Sequence, residues 1–279
     1  MLVDEKTGLY YPTDSGIFDV DWETYKRTDA LNSSSMKAMA RSMLHFKTER
    51  EEPPKPPTVF MEMGTAFHYA ALEPERFKSE VVVDLPINKN RKDYKDWRSM
   101  QDGKLVLKKE YVEAAIRMAK KLYTKKSTGF LLRSGYPEKT VFWKDPEFGF
   151  WCKARIDWIP DHIHGTVVDL KKTENASLYG FRKSIRNYNY YWQAFWYLRG
   201  MTEATGILHD QFYWIAWEPE PPFEGNVFKA DPDEILRAEE QTYYFLQHYA
   251  KALKTGEWPG YDDAVIFMNQ EERYTNSYY

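Results

Sequence analysis

What most constrains this chain is a change of period between residues 138 and 171. On either side, apolar residues recur at helical spacing. Within the interval, "EKTVFWKD" and "GFWCKARIDWIP" flank the turn "DPEFG", and "TVVDLKKT" follows "PDHIHG". These are strand-length runs rich in β-branched and aromatic residues. Such a meander between helical stretches has to be buried by those helices. The expected fold is therefore α/β, with a central mixed β-sheet flanked by helices.

Helical spacing places Met36, Met39, Ala40, Met43 and Leu44 on one face of a helix capped by Ser33 to Ser35. "REEPPKPP" must be a loop, because prolines make neither ladder nor helix bonds. "MEMGTAFHYAALEPERF" reads as a small-residue helix entered through Gly64 and stopped near Pro74. The segment 84–104 is polar, basic and aromatic, and should be exposed. Helices are expected over 108–123, with Val112, Ala115, Ile116, Ala119 and Leu122 inward, and over 176–200. "HDQFYWIAWEP" is a further strand. The last helix opens at Asp231-Pro232, turns Ile235, Leu236, Tyr243, Leu246, Tyr249 and Leu253 inward, and stops near Gly256. The organisation expected is an N-terminal arm or cap (1–31), one main domain (32–262) and a C-terminal tail (263–279).

Two of the strands end in charge. Side chains alternate along a strand, so Asp169 and Lys171 share a face while Leu170 points to the core. A buried carboxylate or ammonium needs a partner, and a plain ion pair would satisfy both. "KARIDWIP" supplies a second acid, Asp157, at the end of its own apolar run. If those strands are neighbours, two carboxylates and a lysine meet at one sheet end. Hard oxygen donors with room for water and phosphate suit Mg²⁺, which can generate hydroxide near neutral pH. Lys171 would position water or stabilise phosphate charge, since nearby carboxylates oppose the pKa drop a base requires.

Composition narrows the chemistry. Cys152 is the only cysteine, so one chain can form neither a disulfide nor a cysteine-ligated zinc or iron–sulfur site. The net charge of −3 gives no global sign of a nucleic-acid binder, although the local surface decides that question. No apolar run approaches the roughly 20 residues that span a bilayer, and the first residues lack a signal-peptide layout. A cytoplasmic protein with no membrane partner is expected.

The arrangement D-x(11)-D-x-K, formed by Asp157, Asp169 and Lys171, resembles the core of the PD-(D/E)xK nucleases. "MGTAFHYAALEPERF" is similar to the G-x-x-x-H helix of their RecB-like branch, with His68 at the histidine. "NYNYYWQAFWYLRG" places Gln193 and Tyr197 on one helical face, where that branch carries a glutamine and a tyrosine. Together with "LNSSSMKAM", "VVDLKKT" and "TGEWPGY", these run in order from Asn32 to Pro259 and resemble the RecE-type exonuclease family. Ile156 and Lys172 depart from it, where proline and threonine are commoner, and neither removes a chemical group from the site.

The resemblance implies a restriction-endonuclease-like core and a Mg²⁺-dependent (or Mn²⁺-dependent) 5′-to-3′ exonuclease on linear double-stranded DNA. Such enzymes release 5′-mononucleotides and leave 3′ single-stranded tails for recombination by strand annealing. It implies catalytic roles for Asp157, Asp169, Lys171, Gln193 and Tyr197, and a metal held by His68, Asp157, Asp169 and Leu170. Glu138 matches an acidic position of the family, and is either a metal-side or water-side residue or a surface glutamate. Further implied are double-stranded DNA ends as substrate, a RecT-like single-strand annealing partner, a homo-oligomer of the ring-shaped tetramer kind, and a bacterial, phage or prophage setting.

Arg91, Lys92 and Lys95 could neutralise DNA phosphates, with Tyr94 and Trp97 stacking on a frayed base; the alternative is a solvated charge run. Two rival functions stand beside this one. A catalytically silent DNA-binding or scaffold protein could retain the fold, and another RecB-like DNA nuclease would share the site.

Overall fold

The computed structural model describes residues 1–53 and 55–265; the expected tail from 266 onward lies outside the described residues. The chain opens with β1 (Leu2–Val3), β2 (Tyr10–Tyr11), β3 (Gly16–Phe18) and α1 (Trp22–Arg27). Four helices follow: α2 (Ser33–Arg41), α3 (Met43–Glu51), α4 (Val59–Leu72) and α5 (Pro74–Glu80). A small parallel pair, β4 (Val81–Val83) and β5 (Leu105–Leu107), encloses α6 (Lys92–Ser99). Next come α7 (Lys109–Leu122), α8 (Lys126–Leu131) and the meander β6 (Gly135–Lys144), β7 (Trp151–Pro160) and β8 (Thr166–Lys172). The chain continues through α9 (Leu178–Tyr188), α10 (Tyr190–Thr205), β9 (Gln211–Trp217), β10 (Gly225–Lys229) and α11 (Pro232–Thr255).

The main sheet has six strands in the order β10-β9-β8-β7-β6-β3. Neighbours are antiparallel except β8 and β9, which run parallel because α9 and α10 cross between them. Helices cover both faces. On one, Met36, Met39, Phe46, Trp192, Trp196 and Phe245 pack on Val141, Trp143, Ala154, Ile156, Val167 and Trp214. On the other, Phe67, Ala71, Ala115, Met118 and Leu122 pack on Trp158, Val168, Leu170, Ile215 and Trp217. The α/β class, with a central mixed sheet between helices, is as the sequence leads one to expect.

Several boundaries differ from the sequence reading, each for a local reason. The methionine helix divides at Ser42, whose extended backbone and side chain cap α3 by accepting from the His45 N–H; Leu44 is consequently exposed. The 176–200 helix divides at Asn189, in the left-handed conformation at φ 51°, so α9 and α10 take different directions. Leu236 and Leu253 of α11 face solvent rather than the core. Segment 84–104 is not wholly exposed, because Tyr94 is buried and donates its hydroxyl to Asp84 at 2.9 Å. No helix among the described residues is long and apolar enough to cross a membrane.

A break in the meander creates the site. The β6–β7 register runs Pro137↔Trp158 and Lys139↔Ile156, while Glu138, between them, has φ 52° and leaves the ladder. Before the break Ala154 and Ile156 face the α10 layer; after it Trp158 faces the α4 layer. Strand alternation alone would keep these even-numbered residues on one face. The change of phase turns Glu138 and Asp157 out of the regular pleat.

Candidate active site

His68 comes from the middle of α4, which is all small or apolar on its sheet side: Met63, Ala66, Phe67 and Ala71 are buried. Close approach to the sheet brings the imidazole against β8, where Nε2 lies 3.0 Å from the Leu170 carbonyl oxygen. Its Nδ1 faces two carboxylates, Glu138 Oε1 at 3.6 Å and Asp157 Oδ2 at 3.7 Å. Asp157 in turn accepts from the Leu170 N–H at 2.7 Å. A side chain thus takes a donor that a regular β7–β8 ladder would have used, and the two strands part there.

Donor atoms of His68, Glu138 and Asp157 all lie within 4.8 Å of one another, the arrangement a cation requires. Two hard carboxylates, a histidine and the nearby Leu170 carbonyl fit a divalent ion such as Mg²⁺ by their chemistry. The electrostatics agree. Burial, and next the charges of Asp169 and Glu138, raise the Asp157 carboxyl to about 7, although His68 opposes them. Burial would lower His68, but the charges of Asp157 and Glu138 overcome it and raise the imidazole to about 9. Protons thus occupy the space between acids that a bound cation would neutralise.

Asp169 stands on the other face of β8, fully buried. Gln193 Nε2 donates to its Oδ1 at 3.0 Å, and Lys171 Nζ lies 2.6 Å from its Oδ2. Tyr197, one turn beyond Gln193 on α10, is also buried; burial and then Asp169 hold its phenol well above the usual range. Lys171 sits 4.9 Å over the Tyr190 ring. Burial alone would lower its pKa, but the charges of Asp169 and then Asp157 outweigh it and raise the pKa, so the group stays an ammonium. That charge state favours the positioning role over the base.

Sequence reasoning passed over Arg155, which donates from Nε to Glu138 Oε2 at 2.8 Å and so orients that carboxylate. Only its place two residues before Asp157 hinted at it, and the interrupted alternation there keeps that spacing from fixing a shared face. His68, Glu138, Arg155, Asp157, Lys171, Gln193 and Tyr197 line a cleft of about 730 Å³, whereas Asp169 is buried behind it. Its wall mixes the cations Lys26, Lys37, Arg76, Lys104, Arg155 and Lys171 with the acids Glu23, Glu62, Glu80, Glu138 and Asp157. Arg91, Lys92 and Lys95 lie outside this lining, on exposed α6 and its cap, and Arg91 pairs with Asp93 at 2.8 Å.

Residues 32–270 match the model of a family described as a PDDEXK-like domain of unknown function (DUF3799). No curated protein matches the chain. Among solved structures, a crystal structure of a protein named "Putative exonuclease" from Eubacterium rectale is similar, with a TM-score of 0.58 at 13% identity. The match covers 90% of this chain and 96% of that one, and at such identity the likeness is one of fold.

Proposed function

This chain belongs to the family of PDDEXK-like domains of unknown function (DUF3799), and from that premise we propose that it is a metal-dependent exonuclease of the RecE type. Its substrate is the end of linear double-stranded DNA, degraded 5′ to 3′ to 5′-mononucleotides with 3′ tails left for a RecT-like annealing partner. Assembly into a ring-shaped homo-oligomer would keep such an enzyme on its substrate. One observation carries the reading: Asp157 and the Asp169–Lys171 pair meet at one sheet end with His68 and Glu138, and His68, Glu138, Asp157 and Lys171 line one cleft.

His68, Glu138, Asp157 and the Leu170 carbonyl would hold the metal; Asp169, expected from the sequence among the ligands, instead has its oxygens at Gln193 and Lys171 and would position Lys171. When bound, Mg²⁺ supplies Lewis acidity and a water acidified toward neutral pH. The chain's own groups do the rest. Water adds to phosphorus, the 3′-oxygen of the neighbouring nucleotide leaves and takes up a proton, and the phosphate stays on the 5′ side. Lys171, fixed by Asp169 and Tyr190, places positive charge where the phosphate gains negative charge. Gln193 holds Asp169 in one rotamer, and Arg155 does the same for Glu138.

The test is digestion of 5′-phosphorylated linear duplex labelled separately at each end, with Mg²⁺ or EDTA, beside a closed circle. Release of the 5′ label only with metal, a resistant circle, and a Lys171→Ala loss of about 100- to 1,000-fold are expected. Cutting of the circle would retain a nuclease but remove the exonuclease. DNA binding without metal-dependent cleavage of any substrate would favour a silent scaffold.

A further inference from the structure

Residues 1–31 lie outside the stretch matched to the family, yet Trp22, Glu23, Tyr25 and Lys26 form part of the cleft wall. We propose that this arm supplies a base-stacking platform: Trp22 stacks on the terminal nucleobase of the strand being cut, and Lys26 meets its phosphate. The inference rests on the nuclease reading above and adds a residue that recognises the substrate.

Trp22 is an indole out of place unless something covers it. Its surface is 48% exposed, whereas Trp143, Trp196, Trp214 and Trp217 are buried to 1% or less. The ring is nevertheless packed on one of its faces. Tyr25, itself buried, stacks on it at 5.4 Å between centroids and 15° between planes. The Arg155 guanidinium lies 5.8 Å from the ring centroid and Lys26 Nζ 6.0 Å away; Arg155 is paired with Glu138 and Lys26 with Glu23 at 2.6 Å, a pair that a phosphate on Lys26 would replace. An aromatic flanked by cations is what single-strand channels present, because stacking is indifferent to sequence while cations follow the backbone.

The arm is also fixed to the strand that carries Asp157. Lys153 of β7, nearly fully buried, donates to the carbonyls of Tyr25 at 2.8 Å and Thr28 at 2.7 Å, which end α1. Arg155 of β7 donates to the Val20 carbonyl at 2.8 Å and at the same time holds Glu138. Arg155 therefore links the arm that carries Trp22 to Glu138, one of the metal-type donors. A base on Trp22, with its phosphate on Lys26, would lie in the same cleft as those donors. A cleft of about 730 Å³ is of small-ligand size and has room for an unpaired nucleotide. Freeing that nucleotide costs it its neighbours' stacking, which Trp22 replaces.

The experiment uses the full chain and hairpin duplexes carrying 2-aminopurine at the 5′ or 3′ terminus, with Ca²⁺ in place of Mg²⁺. Stacking on an indole quenches this base, and anisotropy of a distal dye reports binding separately. Trp22→Phe keeps an aromatic face, while Trp22→Leu keeps apolar packing on Tyr25 without one. The expected result is quenching of the 5′ base by the native chain and by Trp22→Phe. Trp22→Leu should lose it, with affinity about 5- to 100-fold weaker. Undiminished quenching and affinity in Trp22→Leu would overturn the platform and leave the nuclease reading standing. Trp22-dependent quenching of the 3′ base instead would uphold the platform and reverse the polarity. No binding of either hairpin by the native chain would overturn both.

Discussion

Glu138 has a backbone that its residue type disfavours. A φ of 52° places a β-substituted residue in the left-handed region, at a cost of about 1–2 kcal/mol that only glycine escapes. Arg155 and His68 hold it there, and the reward is a carboxylate turned out of the pleat toward the metal-type donors. Comparing two substitutions separates strain from chemistry. Glu138→Ala and Glu138→Gly both lose the carboxylate, yet Glu138→Gly should be more stable than Glu138→Ala by about 1 kcal/mol or more. Urea titration of the pair measures this, and equal midpoints would mean that the conformation is unstrained. Both should bind Mg²⁺ more weakly than the native chain by calorimetry.

At the scale of elements, two packing choices decide where the active-site side chains sit. Helix α10 reaches the sheet because Gly200 lies on the Trp143 ring; an added Cβ would stand 2.6 Å from it. Trp143 is fully buried and cannot give way. Gly200→Ala should therefore destabilise by about 1–3 kcal/mol in spite of alanine's better helix propensity. Denaturant unfolding would reveal a stabilisation instead if the contact were slack. The second choice is the Lys153 clamp on α1. Burial pulls its amine down to about 8, and its three carbonyl acceptors are those of Tyr25, Lys26 and Thr28. Lys153→Met would leave those carbonyls short of a donor, at about 1–3 kcal/mol for each one left buried. Limited trypsin digestion should then cut at Lys26 and Arg27 well before the native chain is cut there, while an unchanged pattern would show that the arm is held by other contacts.

For the whole molecule, the site makes the stability of the metal-free fold depend on pH. Folded Asp157 has a pKa of about 7 against an ordinary 3.8, and folded His68 about 9 against 6.5. Both groups hold protons in the folded state that the unfolded chain gives up earlier. Stability is therefore greatest below the ordinary values and falls as pH rises, over roughly 4 to 7 for Asp157 and 6.5 to 9 for His68. Without a divalent cation, Tm should drop between pH 6 and pH 9. Mg²⁺ at a hundred times its Kd adds about 2.7 kcal/mol and should flatten that slope, because the ion takes the protons' place. A melting temperature at pH 8.5 indifferent to Mg²⁺ would argue against a metal between His68, Glu138 and Asp157.

The sequence by itself determined the layers and the ingredients. Apolar period marked the three meander strands, β9 and most helices, and charge at the ends of two apolar strands singled out Asp157, Asp169 and Lys171. These signals are local, so short windows carry them. Leucine positions on α11, the divisions at Ser42 and Asn189 and the burial of Tyr94 were not legible, because each depends on a neighbour distant in sequence or on one residue's backbone angle. Tertiary structure alone decided that Glu138 leaves its ladder, that β7 and β8 part at Leu170, and that Arg155 ties Glu138 to an arm bearing Trp22. Hydrophobic pattern sets which face of a strand is buried. It says nothing of where alternation is interrupted, and the interruption turns Glu138 and Asp157 out of the pleat to face His68.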